Sequence, residues 1–161
     1  MPCRMELVRR ARLDEASELA ELYMASRRES LPYLPEVHDA AETLSWMARQ
    51  ILSAEVWVAE RRGRVAALMV LLGSQLDQLY VAPEHQGSGL GGRLVDLAKQ
   101  RRPTGLTLWT FQRNSRARAF YERRGFRPQE FTAGDNEEGE PDVRYEWRPA
   151  AVDGSPPPGA E

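Results

Sequence analysis

The sequence predicts an α/β fold of seven strands and four helices. Short apolar runs of strand length alternate along the chain with stretches that repeat apolar residues at helical spacing. A glycine-rich turn, Gln86 to Gly91, follows one of these runs and opens a helical stretch. The chain has 161 residues, of which 42% are apolar, so it is long enough to bury a core without disulfides or metal.

The N-terminal part of the fold is predicted to begin with a strand at Glu6–Arg10. Two helices follow, each with one apolar stripe, at Leu13–Glu29 and Ala40–Leu52. Pro32 and Pro35 interrupt the chain between them, because proline cannot continue a helix.

Three strands come next, at Glu55–Glu60, Arg64–Leu72 and Leu76–Val81. The first two are predicted to form a hairpin, because Arg62-Gly63 between them supplies the glycine that a tight turn favours. Arg64–Leu72 is apolar on both faces, which places it in the centre of the sheet.

The C-terminal part is predicted to begin with a helix from Leu90 to near Arg102. The remaining elements are a strand, a helix and two strands, at Leu106–Phe111, Ser115–Arg124, Phe126–Thr132 and Val143–Trp147. Residues 1–148 are therefore predicted to form a single domain. Residues 149–161 contain Pro156–Gly159 and no large apolar residue, so they are predicted to be a disordered C-terminal tail.

The composition excludes several classes of partner. The formal net charge is −2, so the chain as a whole does not attract nucleic acid. Cys3 is the only cysteine, which excludes an intramolecular disulfide, and no cluster of Cys or His predicts a metal site. The longest apolar run, Val65–Leu72, is too short to span a bilayer, and the N-terminus lacks the apolar region of a signal peptide. We expect a cytoplasmic protein with neither a membrane nor nucleic acid as a partner.

The glycine turn has the features of an anion site. It lies between the strand Leu76–Val81 and a helix that begins near Leu90. Glycines let the backbone turn its N–H groups inward, and a helix N-terminus adds partial positive charge. We therefore expect a ligand that contains phosphate to bind at this turn.

The order of the predicted elements, with the glycine turn after the fourth strand, resembles the GNAT family of CoA-dependent N-acetyltransferases. The family's pyrophosphate motif is Gln or Arg, two residues, Gly, one residue, and Gly or Ala; Gln86, Gly89 and Gly91 satisfy it. A later family motif is also matched, by Asn114, Ala117, Phe120-Tyr121-Glu122 and Gly125-Phe126. The resemblance covers roughly Glu6 to Trp147.

The resemblance implies a mixed, mostly antiparallel sheet of seven strands, flanked by about four helices and splayed between strands 4 and 5. It implies acetyl-CoA as cosubstrate, without a metal. The acetyl group would pass directly, in a ternary complex, to a primary amine of a small molecule or a peptide, and a homodimer is compatible with the resemblance. The alternative is a CoA-binding sensor or interaction protein that keeps the cofactor site without turnover.

Three groups of residues are assigned to CoA by the resemblance. They are the strand edge Leu79, Tyr80 and Val81, the turn Gln86, Gly87, Ser88, Gly89, Leu90, Gly91 and Gly92, and the helix residues Asn114 and Tyr121. A strand edge suits the amide-bearing pantetheine arm, and a backbone N–H there can polarise the thioester carbonyl. Asn114 and Tyr121 are seven residues apart, so they share a helix face about 10 Å long.

The resemblance assigns Tyr121 to protonation of the leaving thiolate. A phenol with a pKa of about 10 can hydrogen-bond to a thiolate whose conjugate acid has a pKa of about 8.5. The general base is less defined, because the positions at which family members hold a carboxylate are occupied by Gln75 and Trp109. Asp77 is the nearest acid and is the predicted base, acting through water; alternatively, it pairs with an arginine.

Other interpretations of the same residues stay open at this point. Gly87–Gly92 also fits the dinucleotide pattern Gly-x-Gly-x-x-Gly, although Gln112 stands where that pattern expects an acid. Asn114 could be a helix N-cap, and Tyr121 could be a core aromatic. The acidic segment Asp135–Asp142 could attract a cationic amine or form a solvated loop.

Overall fold

The computed structural model describes residues 6–150, which form four helices and seven strands. The helices are α1 (Ala16–Ser30), α2 (Ala40–Ser53), α3 (Leu90–Arg101) and α4 (Ser115–Arg123). The strands are β1 (Glu6–Arg10), β2 (Glu55–Arg61), β3 (Arg64–Leu72), β4 (Gln75–Val81), β5 (Leu106–Phe111), β6 (Arg127–Phe131) and β7 (Asp142–Trp147). Short 3₁₀ turns precede α1, at Leu13–Glu15, and the glycine turn, at Pro83–His85. Cys3 and residues 151–161 of the expected tail lie outside the described residues.

One compact unit of the chain ends at Leu97, and a second begins at Ala98. In the first unit β1, β2, β3 and β4 pair in sequence order, each antiparallel to the next. Residues 66–71 of β3 are all buried, which agrees with the central place predicted for this strand. The core joins the two helices to the sheet through Leu19 of α1, Met47 of α2, and Val58 and Leu68 of β2 and β3.

The turn between β2 and β3 follows the hairpin prediction. Arg62 and Gly63 both adopt positive φ, at 56° and 79°. Two consecutive positive φ values are typical of a type I′ turn, whose twist matches that of the flanking strands. The hairpin predicted at this dipeptide is confirmed.

The second unit contains a three-stranded antiparallel sheet in which β7 lies between β5 and β6. One face of this sheet is buried, at Leu106, Leu108, Val143 and Tyr145. β6 is exposed at every position and has a register shift after Pro128.

Lys99, the single lysine of the chain, contacts the C-terminal end of α4. Its Nζ donates to the carbonyl oxygen of Arg124 at 2.6 Å, where a cation offsets the partial negative charge of a helix C-terminus. The same ammonium lies 4.9 Å from the ring centroid of Trp147 and 5.7 Å from that of Phe126. This ε-amine is therefore engaged by a carbonyl and two aromatic rings.

The predicted fold class is confirmed: residues 6–150 form an α/β fold with four helices and seven strands that pair mostly antiparallel. The splay between strands 4 and 5, the single domain over residues 1–148, the homodimer and the cytoplasmic location stay predictions. Within residues 6–150, no helix combines the length and the apolar character needed to cross a membrane.

Candidate active site

The glycine turn leads from the 3₁₀ turn Pro83–His85 into α3. Gly87 and Gly89 adopt φ of 80° and 94°, and a Cβ built on either would meet no atom of the described residues within 4 Å. Glycine is therefore required here by backbone conformation and not by crowding. The open space beside both residues leaves the turn accessible to a ligand.

The backbone N–H groups of the turn divide into two sets. Those of Gln86 and Ser88 donate to Pro83 and His85 within the 3₁₀ turn, at 3.4 and 3.2 Å. The carbonyl of Gly89 accepts from the N–H of Arg93 at 3.1 Å, which marks the start of the hydrogen-bond ladder of α3. The N–H groups of the first helical turn, Leu90, Gly91 and Gly92, have no acceptor inside the helix and lie at its positive end. These three amides suit an anion.

The Ser88 hydroxyl is the clearest sign of a ligand at this turn. Its Oγ is buried and has no hydrogen-bond partner in the part of the chain that the structure describes. A buried hydroxyl without a partner costs about 1–3 kcal/mol. A phosphate oxygen at the turn would supply the missing acceptor, so the residues present fit the diphosphate of CoA.

The backbone edge predicted for the pantetheine arm lies on β4, at Leu79 to Val81. The N–H of Ala82 donates to the carbonyl of Ala66 at 2.8 Å, and Val81 lies opposite Ala67 in the register. Because successive residues of an antiparallel ladder alternate their direction, Leu79 and Val81 direct their N–H and C=O groups away from β3. The edge groups predicted to contact the cofactor are therefore those of Leu79 and Val81.

The side chain of Tyr80 packs against α1. Its ring packs edge-on against Tyr23 of α1, with centroids 5.0 Å apart, and its hydroxyl accepts from Arg27 at 3.0 Å. Tyr80 belongs to the core between β4 and α1, and by the same alternation its N–H and C=O groups face β3, so its contact with the cofactor stays a prediction.

Asp77 has two amide partners in place of the arginine that the alternative interpretation offered. Oδ1 accepts from Gln75 Nε2 at 3.0 Å and Oδ2 from Gln78 Nε2 at 3.3 Å. The carboxylate is half-buried on β4 and held by neutral donors. This arrangement leaves the charge of Asp77 uncompensated by those partners, which is compatible with a base.

In the second unit, α4 positions the two helix residues of the predicted site. Asn114 is the N-cap of α4, because its Oδ1 accepts from the N–H of Ala117 at 3.1 Å. The cap uses only the oxygen, so the side-chain NH₂ group can still donate to a ligand. Tyr121 is 8% exposed and packs edge-on against Phe120 and Phe126, with centroids 5.1 and 5.5 Å away. The N-cap and core-aromatic interpretations are both realised, and the cofactor roles stay predictions.

The acidic segment forms an ordered loop between β6 and β7. Asn136 organises it, since its amide donates to the carbonyl of Glu140 at 2.8 Å and to Asp142 Oδ2 at 3.1 Å. Arg113 donates to both carboxylate oxygens of Glu140 at 2.8 Å, and these hydrogen bonds lower the pKa of Glu140. Asp135 lies on the exposed surface of the loop.

One residue close to the site was missed by the sequence analysis. Ser26 is 3% exposed on α1, and its hydroxyl donates to the carbonyl of Val81 at 3.1 Å. The available signal was a polar residue three positions after Tyr23, on the apolar stripe of the helix. As regards metals, residues 6–150 contain no group of three or more His, Cys, Asp or Glu that could hold an ion.

Comparisons with known proteins agree with this geometry. A model of the acetyltransferase (GNAT) domain matches residues 53–128, which include the glycine turn and α4. The peptidyl-lysine N-acetyltransferase YjaB of Escherichia coli is 30% identical over 122 residues, which are 74% of this chain and 81% of that protein. Its ligand-free solution structure has a TM-score of 0.75 and 25% identity, covering 89% of this chain and 98% of that chain.

Two further proteins are similar over different lengths. A Mycobacterium tuberculosis protein described as a probable N-acetyltransferase is 38% identical over 80 residues, 44% of this chain. The chain spans only 45% of the length of that relative. The Salmonella typhimurium protein yncA, solved with its cofactor acetyl-CoA, has a TM-score of 0.67 and 20% identity, covering 95% of this chain and 100% of that chain.

The fold and the motif place the chain in the class of acyl-CoA-dependent transferases. The chain belongs to the GNAT family of acetyltransferases. The predicted family, fold and enzyme class are thereby confirmed, and acetyl-CoA is the donor of this family. The match across the turn also decides against the dinucleotide interpretation of Gly87–Gly92.

Proposed function

We propose that this chain transfers the acetyl group of acetyl-CoA directly to a primary amine, and that the acceptor is the ε-amine of a peptide lysine. The acceptor is supported by the function named for YjaB, which is 30% identical. The main support for donor binding is the turn after β4, where Ser88 Oγ is buried beside the N-terminus of α3 without a hydrogen-bond partner among residues 6–150.

In this proposal the diphosphate accepts hydrogen bonds from the N–H groups of Leu90, Gly91 and Gly92 and from the Ser88 hydroxyl. The pantetheine amides pair with the backbone edge at Leu79 as an added strand would, and the Val81 N–H receives the thioester carbonyl oxygen as it gains charge. Asn114 donates its side-chain NH₂ group to the cofactor.

The proposed reaction has one covalent step. The amine nitrogen attacks the thioester carbonyl carbon, a C–N bond forms, and the C–S bond breaks. Tyr121 gives its phenolic proton to the departing thiolate and recovers one from solvent, while Asp77 accepts the amine proton through water. The products are the acetylated amine and the free thiol of CoA.

A lysine acceptor must lose a proton before it attacks, because its ordinary pKa is about 10.4. A cationic side chain is attracted to acidic surfaces, and Asp135 lies exposed on the ordered loop between β6 and β7. The acidic loop therefore favours a lysine peptide over an acidic or neutral one in this proposal.

The test begins with donor binding. Acetyl-CoA at about a hundredfold excess over its dissociation constant should stabilise the protein by about 2.7 kcal/mol, measured as a rise in Tm. Thiol release from acetyl-CoA is then followed with a lysine peptide and with the same peptide carrying ε-acetyl-lysine.

We expect thiol release with the free lysine peptide only, and one added acetyl group on it by mass spectrometry. If thiol is released with polyamines but with no lysine peptide, the proposed lysine acceptor is contradicted, and acetyl transfer to an amine is still supported. If the protein binds acetyl-CoA but releases no thiol with any amine, the proposed catalysis is contradicted and the CoA-binding sensor is favoured.

A further inference from the structure

Two hydrogen-bond donors from different parts of the first unit meet at one backbone oxygen. The Ser26 hydroxyl donates to the carbonyl of Val81 at 3.1 Å, and Gln86 Nε2 donates to the same oxygen at 3.2 Å. Gln86 Nε2 also lies 3.3 Å from Ser30 Oγ. The side chain of the motif glutamine is thus turned toward β4 and α1, and not toward the space beside the turn.

The peptide that joins Val81 to Ala82 is held on both sides. Its carbonyl accepts from Ser26 and Gln86, and its N–H, that of Ala82, donates to Ala66 at 2.8 Å. The end of β4 is therefore fixed immediately before the 3₁₀ turn that leads to the glycine turn.

The last turns of α1 supply most of this support. Arg27, beside Ser26, donates to the Tyr80 hydroxyl at 3.0 Å, and the Tyr80 ring packs against Tyr23. α1 therefore contacts the end of β4 through Ser26, which is buried, Arg27 and Tyr23.

We propose that Ser26 is a positioning residue for acetyl transfer, acting together with the side chain of Gln86. By fixing the Val81 carbonyl, the two donors set the direction of the Val81 N–H, which points away from β3. This inference rests on the proposed function, in which that N–H receives the thioester carbonyl oxygen as it gains charge. In this inference Ser26 acts through the Val81 carbonyl and not by contact with the cofactor or the amine.

The expected effect is on the chemical step. Removal of a whole oxyanion donor costs about a hundredfold to a thousandfold in kcat. Loss of one of two supports moves that donor without removing it, so Ser26→Ala should lower kcat by about tenfold. The diphosphate is held by the turn amides, so the dissociation constant of CoA should change less than about twofold.

The test compares Ser26→Ala with Ser17→Ala, the same change at an exposed position of α1. Thiol release gives kcat and KM, and the infrared carbonyl stretch of bound acetyl-CoA labelled with ¹³C reports polarisation of the thioester. We expect the shift of that stretch relative to free acetyl-CoA to shrink in Ser26→Ala and to recover in Ser26→Thr. Ser17→Ala should leave kcat and the stretch unchanged.

An unchanged stretch and an unchanged kcat in folded Ser26→Ala would overturn the inference. If Ser26→Ala does not fold, Gln86→Met removes the second donor to the same oxygen. An unchanged kcat and an unchanged carbonyl stretch in Gln86→Met would then overturn the inference. Wild-type protein that neither binds acetyl-CoA nor releases thiol would show instead that the proposed function has failed.

Discussion

Arg9 and Glu15 form a bidentate ion pair that ties β1 to the turn before α1. Arg9 Nη1 and Nη2 donate to Glu15 Oε1 and Oε2 at 3.1 and 2.6 Å. The Glu15 carboxylate also accepts from the backbone N–H of Arg12 at 2.8 Å, and its side chain is only 7% exposed. The hydrogen bonds from Arg9, with that from Arg12, hold the pKa of Glu15 below its ordinary value of 4.5.

Glu15→Gln should therefore lower the free energy of unfolding at pH 7 by about 1–3 kcal/mol. Because the folded pKa is lowered, the stabilisation by the charged carboxylate is present above pH 4.5 and lost as the pH falls through the folded pKa. Urea denaturation at several pH values checks this. Asp14→Asn, at an exposed ion pair with Arg12, should change stability by less than about 1 kcal/mol. A deficit in Glu15→Gln that does not shrink in acid would contradict the prediction.

Gly89→Ala should weaken acetyl-CoA binding by about tenfold, since an alanine at φ of 94° costs about 1–3 kcal/mol and the turn would rearrange to relieve that strain. The matched control is Gly63→Ala in the β2–β3 hairpin, at φ of 79° and with equally open space. Both variants should lose stability, but only Gly89→Ala should lose affinity in titration calorimetry. If Gly89→Ala and Gly63→Ala bind acetyl-CoA with equal affinity, the glycine turn is not the diphosphate site.

Tyr121→Phe should lower kcat by about a hundredfold with little change in the KM of acetyl-CoA, because only the proton donor is removed. Its ring keeps the contacts with Phe120 and Phe126, so the variant should stay folded. Thiol-release kinetics and thermal unfolding measure both effects. An unchanged kcat would contradict the role of Tyr121 as proton donor and leave it only a packing role in the core.

Tyr145→Phe is the matched control for that variant. Tyr145 is buried, its hydroxyl donates to Glu122 at 2.6 Å and accepts from Arg118 at 2.9 Å, and burial raises its pKa. Loss of this hydroxyl should cost about 1–3 kcal/mol of stability and leave kcat unchanged.

Asp77→Asn should lower kcat/KM at pH 7 by more than about tenfold if Asp77 accepts the amine proton. The deficit should narrow as the pH rises, because solvent then deprotonates a larger fraction of the lysine acceptor. Asp96→Asn, on the exposed surface of α3, is the control. Activity within severalfold of the wild type at pH 7 would rule out Asp77 as the base.

Apolar periodicity was sufficient to locate the helices, because each one buries a single stripe, and β3 was located by its continuous apolar run, which is buried on both faces. The borders depend on local hydrogen bonds that periodicity does not encode. The first helix was predicted from Leu13, which was wrong by three residues, because Leu13–Glu15 forms a 3₁₀ turn whose Glu15 is held by Arg9 and Arg12. Leu44, on the apolar stripe of α2, is 40% exposed, since the core contact of that helix centres on Met47.

The glycine turn was predictable because its chemistry is local to a few consecutive residues. The supports of that turn were not, because they join residues far apart in the chain. Ser26 and the carbonyl of Val81 are 55 positions apart, and no spacing rule connects them. The partners of Asp77 were missed for a different reason. Gln75 and Gln78 lie within two residues of Asp77, and the sequence does not show whether such neighbours or an arginine from another element donate to its carboxylate.

The engagement of Lys99 at the end of α4 has a practical consequence for assays of lysine acetylation. Label incorporated into a lysine of the enzyme would add to the label measured in the peptide. Here the single ε-amine of the chain is already a donor to Arg124 and shielded by Trp147. Background from self-modification of lysine should be low, so radiolabelled acetyl counts can be attributed directly to the added acceptor.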